Sequence, residues 1–201
     1  MRDPRIVISG AVEGDVDEAV VARLVFEVGG ALGAVHGKNG KAQLRQHVAA
    51  YNKAACFSPW VVLVDLNGDA ECAPLLQEEW LPHPAPRMCF RIAVRAIEAW
   101  LLADTHNLSQ FLGVTRSAFP PGPELERDPK QKIVSLSANS RRRDVREDMV
   151  PRPGSGRKVG PAYTSRLIEF VESHWRPDEA AKRSDSLRRC VERLRELVAS
   201  A

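Results

Sequence analysis

Trp60-Val61-Val62-Leu63-Val64-Asp65 is the stretch on which the fold turns. It is apolar at every position but the last, without the alternation of a half-exposed strand. Such a run reads as a strand buried on both faces, as in a parallel sheet. Leu66-Asn67-Gly68-Asp69 then turns the chain away. Upstream, Arg5-Ile6-Val7-Ile8-Ser9 is a short β-branched run bounded by Gly10. Asp15 is placed to cap a helix through Asp17–Val28, where Val20, Val21, Leu24, Val25 and Val28 recur at helical spacing before Gly29-Gly30. Ala34-Val35-His36 reads as a brief second strand, Gly37–Lys41 as a loop, and the following segment as a helix to about Ala55. Downstream come a helix at Ala73–Trp80, a strand at Met88–Ala93 and a helix at Ala96–Ala103. Four strand–helix units predict an α/β sandwich with a mainly parallel central sheet and right-handed crossovers.

Past this point the chain changes character. Pro120, Pro121, Pro123 and Pro129 predict an extended surface loop over 115–129. Helices are expected at 130–138, 162–174 and 178–198, separated by the basic run Arg141–Arg146 and the Gly/Pro-rich segment Pro151–Pro161. The expected organisation is an α/β core over 1–114 and a helical, basic extension over 115–201, packed on or beside it. Charge divides the same way. Residues 1–140 carry 14 Lys and Arg against 16 Asp and Glu, whereas 141–201 carry 15 against 10. The last third is the candidate surface for an anionic partner, or else an Arg-rich solvated helical face.

With 44% apolar and 27% charged residues in a chain of 201, the composition is close to that of an average globular protein and the chain is long enough to bury a sizeable core. No apolar run reaches eighteen residues, so no membrane span is expected, and no secretory signal is visible. Cys56, Cys72, Cys89 and Cys190 form no CxxC pair. They are expected as four small buried hydrophobes in a reducing cytoplasm.

The acids then locate chemistry. Ligands in parallel sheets gather beyond the carboxyl ends of the strands. Glu13 follows the first strand, Asp65 ends the central one, and Asp69 lies four residues on. If the first and third strands are neighbours, Glu13 and Asp65 emerge at one edge, where oxygen ligands suit Mg²⁺ or Mn²⁺. Asp at a strand end is also an ordinary turn residue. Asp15 and Asp17 are read as first-turn acids complementing a helix dipole.

Val12-Glu13-Gly14-x-x-Asp17, followed by a strand ending Val64-Asp65-Leu66-Asn67-Gly68-Asp69, resembles the TOPRIM pattern of topoisomerases, bacterial primases and OLD-type nucleases. That signature is a Glu after the first strand and an Asp-x-Asp after the third. Arg91-Ile92-Ala93 with Glu98-Ala99-Trp100 is similar to the Arg-Ile-Ala…Glu-Ala-Trp signature of a bacterial TOPRIM-related family of unknown function, which Gly37-Lys38 also fits. The resemblance implies a TOPRIM-like fold over about 5–104, with Glu13 as metal ligand or general acid/base and Asp65 as metal ligand. The second Asp of the pair falls on Asn67, which offers a carbonyl oxygen without charge. Asp69 or Glu98 is then needed to complete the metal set. Glu98 either joins the metal cluster as a catalytic acid or pairs with Arg91 or Arg95.

Several cations are placed to hold phosphate. Lys38 and Lys41 lie in a Gly-flanked loop before a helix. Arg141, Arg142 and Arg143 form the densest basic run, and Arg157 and Lys158 sit in Gly-rich backbone ahead of another helix. Arg91 is counted with them. Asp144, Glu147 and Asp148 equally allow a salt-bridged surface there. The implied activity is that of a Mg²⁺-dependent nuclease or phosphodiesterase acting on nucleic acid. OLD-type enzymes work with an ATPase, and this chain has no Walker A loop, so the expected ATPase is a separate partner. The alternative is a non-catalytic nucleic-acid- or partner-binding protein whose metal site is degenerate at Asn67.

Overall fold

A computed structural model describes residues 5–200. Its four strands, β1 (Val7–Val12), β2 (Ala31–Gly37), β3 (Trp60–Asp65) and β4 (Met88–Ala93), form one sheet in the order β2-β1-β3-β4. Every pairing is parallel. Helices α1 (Asp15–Glu27), α2 (Lys41–Ala54) and α3 (Ala73–Trp80) connect the strands. Strand order reverses direction between β1 and β3. Loops leaving these two strands must therefore part to opposite sides, and the crevice between them is where such sheets bind ligands. The first and third strands are thus neighbours, as the convergence of Glu13 and Asp65 requires.

Both faces of β3 are covered, which explains its unbroken apolar run. Val61 and Leu63 join one core cluster, with α1 and the C-terminal helices. Trp60, Val62 and Val64 join another, between the sheet and α2 and α3. The chain continues through α4 (Ile97–Ala103), α5 (Thr105–Leu112), α6 (Pro129–Ala138), α7 (Arg143–Met149), α8 (Tyr163–Ser173), α9 (Pro177–Ala181) and α10 (Asp185–Ala199). Residues Tyr163, Leu167, Phe170, Leu187, Val191 and Leu194 are buried in the same cluster as Ile8, Val12 and Leu24. The C-terminal segment therefore packs on the sheet's first face and shares its core.

Several expectations move. β1 begins later and runs through Val12, and β2 is longer than three residues. Gly14, rather than Asp15, occupies the N-cap of α1 and makes no side-chain cap bond. The later part of the basic run, from Arg143, belongs to α7 rather than to a connection. The last predicted helix is two, because Ser184 caps a fresh start at α10 by accepting from the Leu187 amide. The 115–129 segment carries two short 3₁₀ turns, Arg116–Ala118 and Pro123–Leu125. Cys89 and Cys190 are buried, but Cys56 and Cys72 are exposed, contrary to expectation. Gly37 ends β2 at φ 90°, where a Cβ would meet the Val12 carbonyl oxygen at 2.3 Å, so only glycine fits.

Candidate functional site

Beyond the carboxyl ends of β1 and β3 lies a cavity of about 600 Å³, lined by Glu13, Asp65, Asn67, Arg95, Glu98 and Lys130 among others. Glu13 Oε1 accepts a hydrogen bond from the Asp65 amide at 2.9 Å. Asp65 Oδ1 in turn accepts from the Ile97 amide at 2.9 Å, at the start of α4. Each carboxylate thereby fixes the backbone that carries the next member of the site. Asp17, one turn into α1, is 7% exposed, and its Oδ1 is buried without a hydrogen-bond partner. Glu98 is 4% exposed and takes contacts at 3.4 Å from both the Tyr163 hydroxyl and Lys130 Nζ.

Crowding of carboxylates in a poorly hydrated place has the expected electrostatic result. Burial raises the Glu13 pKa, against the lowering effects of the Asp65 amide and Lys41. Burial, then the charges of Glu13 and Glu98, lift Asp17 to about 7. Burial followed by Asp17, Glu98 and Glu13 holds Asp65 well above the ordinary aspartate range. Burial opposes the charged form of Lys130, but Glu98, Asp65 and Asp17 more than offset it and its pKa stands above normal. Burial and then Glu98 push the Tyr163 phenol up, so it stays a hydrogen-bond donor at neutral pH.

The donor set is oxygen-rich and under-neutralised, and it contains an orphaned buried carboxylate oxygen. That chemistry suits a hard divalent cation. Among the described residues, however, no three acids, histidines or cysteines form a group arranged to hold a metal ion. The side chains supply charge and donors without a finished coordination shell.

The remaining sequence candidates divide. Lys41, the first residue of α2, reaches both the Asp65 carbonyl and the Asp69 carboxylate. Asp69 is half-exposed and spent on that pair. Asn67 lies at φ 50°, and its amide donates to the Arg95 carbonyl at 2.7 Å. Asn tolerates this left-handed turn, so the backbone alone accounts for an Asn here. Lys38 is turned away to Glu18 at 2.8 Å. Arg91 faces a different cavity, on the α3 and α10 side. Arg142 pairs with Asp144 at 2.6 Å and Arg143 with Glu147 at 2.8 Å. Arg141 lines a small depression beside α6. The loop carrying Arg157 and Lys158 is anchored to α6, where Gln131 donates to the Lys158 carbonyl at 2.9 Å. Glu98 pairs with neither Arg91 nor Arg95.

Asp17, Lys130 and Tyr163 are site residues that sequence reasoning missed. For Asp17 a signal existed. It stands three, four and seven residues before Val20, Val21 and Leu24, on the buried face of α1. Lys130 and Tyr163 arrive from α6 and α8 by tertiary packing, and nothing local marks them.

Comparison of the chain with protein-family models, curated proteins and solved structures finds no match.

Proposed function

We propose that this chain is a divalent-metal-dependent phosphodiesterase acting on nucleic acid, built on a TOPRIM-like arrangement. The observation that carries the reading is the gathering of Glu13, Asp17, Asp65 and Glu98 at the switch between β1 and β3. In this reading Glu13, Asp65 and Asp17 would supply oxygen donors to Mg²⁺ or Mn²⁺ once their side chains reorient around it, and the bound cation would supply an activated water and a counter-charge for the phosphate. Lys130 and Arg95, which line the cavity, bind and orient the phosphate oxygens. Lys41 fixes the Asp65 backbone and so positions its carboxylate. Tyr163 holds Glu98 in place. A separate ATPase partner is part of the proposal by resemblance to OLD-type nucleases.

Calorimetric titration with Mn²⁺ or Mg²⁺ tests the reading directly, because it needs no substrate. The native chain is expected to bind the cation, and Glu13→Gln and Asp65→Asn to lose it. Cleavage of single- and double-stranded DNA and RNA is then screened with the same three proteins. Absence of metal binding at millimolar concentration, with and without a phosphodiester ligand, would overturn the enzymatic reading.

One set of observations favours the second reading, a binding protein without turnover. Glu13 and Asp65 are each committed to a backbone amide, Asn67 replaces an acid, and Lys130 already places a cation beside Glu98. Under this reading nucleic acid binds in the absence of metal and is recovered intact in its presence.

A further inference from the structure

A second cavity, of about 760 Å³, opens on the other side of the β3–β4 edge, between β4, α3 and the start of α10. Its volume is that of a small-ligand site. Leu66 lines it, whereas its neighbours Asp65 and Asn67 line the carboxylate cavity. Arg95 lines both and forms the partition between them. The Arg95 Nε is buried and has no hydrogen-bond partner. Among the described residues the Arg91 side chain makes two hydrogen bonds, both of 3.3 Å, to the Phe90 and Arg189 carbonyls. Among the described residues neither guanidinium has a carboxylate partner, unlike neighbouring Arg189, which pairs with Asp185 at 2.7 Å.

Four acids share this wall, but among the described residues none forms an ion pair with Arg91 or Arg95. Glu124 is occupied by Ser184 and Ser186, and Asp185 by Arg188 and Arg189. Glu71 and Glu78 are exposed on the α3 side. Leu66, Ile92, Val94 and Leu125 also line the cavity, and Leu125 is 83% exposed. An exposed apolar side chain and two guanidinium groups without carboxylate partners in one cavity fit a ligand with both an anionic and an apolar part.

We infer that this cavity is a nucleotide subsite, with Arg91 and Arg95 holding a phosphate and the base lying against Leu66, Ile92, Val94 and Leu125. The choice of a nucleotide rests on the phosphodiesterase reading of the adjoining site. Through Arg95 the subsite adjoins the carboxylate cavity, so it fits the residue flanking the scissile phosphate or a free nucleoside monophosphate.

Calorimetry with adenosine 5′-monophosphate, inorganic phosphate and a short single-stranded oligonucleotide tests this on the full chain. The monophosphate is expected to bind more tightly than inorganic phosphate. Arg91→Ala and Arg95→Ala should each weaken it by about tenfold or more, the scale of a lost charge-assisted contact. Leu125→Ser should weaken the monophosphate but not inorganic phosphate. Melting temperature controls for folding, and Arg91→Lys and Arg95→Lys provide milder variants. An oligonucleotide that binds more tightly than the monophosphate, in an Arg95-dependent way, identifies the occupant as part of a strand. The reverse order identifies a free nucleotide, and both support the subsite. No saturation by either nucleotide ligand, or binding indifferent to Arg91 and Arg95, would overturn it. Glu13→Gln should bind the monophosphate normally. A native chain that binds the monophosphate but no divalent cation would defeat the phosphodiesterase reading alone, and a native chain that binds the cation without nucleotide affinity would defeat the subsite alone.

Discussion

Glu13 accepts the backbone amide of Asp65 across the junction of β1 and β3, at 2.9 Å. One acid therefore positions the other, and the pair can be separated experimentally into charge and hydrogen bond. Gln at position 13 retains an oxygen acceptor for that amide and removes the charge. Glu13→Gln is expected to keep native stability and lose divalent-cation binding. Glu13→Ala also leaves the partly buried Asp65 amide unpaired and should cost about 1–3 kcal/mol. Urea denaturation of the two variants checks the difference. Equal stability would show that the hydrogen bond does not hold the end of β3.

The raised acids make stability depend on pH in an uncommon direction. Asp17 has a folded pKa of about 7 against an ordinary 3.8, so the folded state binds more protons than the unfolded chain between these values. Stability should therefore be greatest below the unfolded pKa and fall as pH rises towards and through the folded one. Without divalent metal, the melting temperature is expected to drop between pH 5 and pH 8. Asp17→Asn should flatten that slope, and Mg²⁺ should raise the melting temperature most at the alkaline end. A metal-free melting temperature that rises over this range would contradict the electrostatic account.

Lys130 is the cation from α6 that answers this crowding, 3.4 Å from Glu98. Lys130→Met keeps much of the side chain's volume and removes the charge. It is expected to raise the apparent pKa values of Asp17 and Glu13 further and to steepen the loss of stability as pH rises. Carboxyl-carbon NMR titration of the native protein and the variant measures this. Unchanged titration of Asp17 and Glu13 would place Lys130 outside the cluster's electrostatics.

How far these residues could be read beforehand follows from where their constraints lie. Trp60–Asp65 is legible because burial on both faces leaves a continuous apolar run. Glu13 and Asp65 are legible because strand ends in a parallel sheet share an edge. Asp17 was readable from its place on the apolar stripe of α1, but an acid in a first turn has a simpler electrostatic explanation. Lys130 and Tyr163 were not readable, since their roles depend on how α6 and α8 pack. The Arg141–Arg146 run suggested phosphate binding by composition. Its acids occupy Arg142 and Arg143, and this arrangement depends on α7, which the charge pattern did not reveal.

Glu124 offers a test of how the C-terminal segment is secured. Its Oε1 accepts from the Ser184 hydroxyl at 2.6 Å, the Ser186 hydroxyl at 2.6 Å and the Ser186 amide at 2.9 Å. Ser186 Oγ then accepts from Trp100 Nε1 at 2.7 Å and from the Val94 amide at 3.3 Å. One carboxylate in a proline-rich loop thus joins the start of α10 to α4 and to the end of β4. Glu124→Ala removes an ionised acceptor and strands several partly buried donors, and is expected to cost about 2–4 kcal/mol. Asp185→Ala, which breaks only exposed pairs with Arg188 and Arg189, should cost less than about 1 kcal/mol. Hydrogen exchange separates this from a diffuse effect, because amides of the first turns of α10 should lose protection in Glu124→Ala while those of β1 and β3 retain it. Uniform loss across the sheet would mean that α10 unfolds only with the whole domain. In that case the latch contributes to global stability rather than to local docking of the helix.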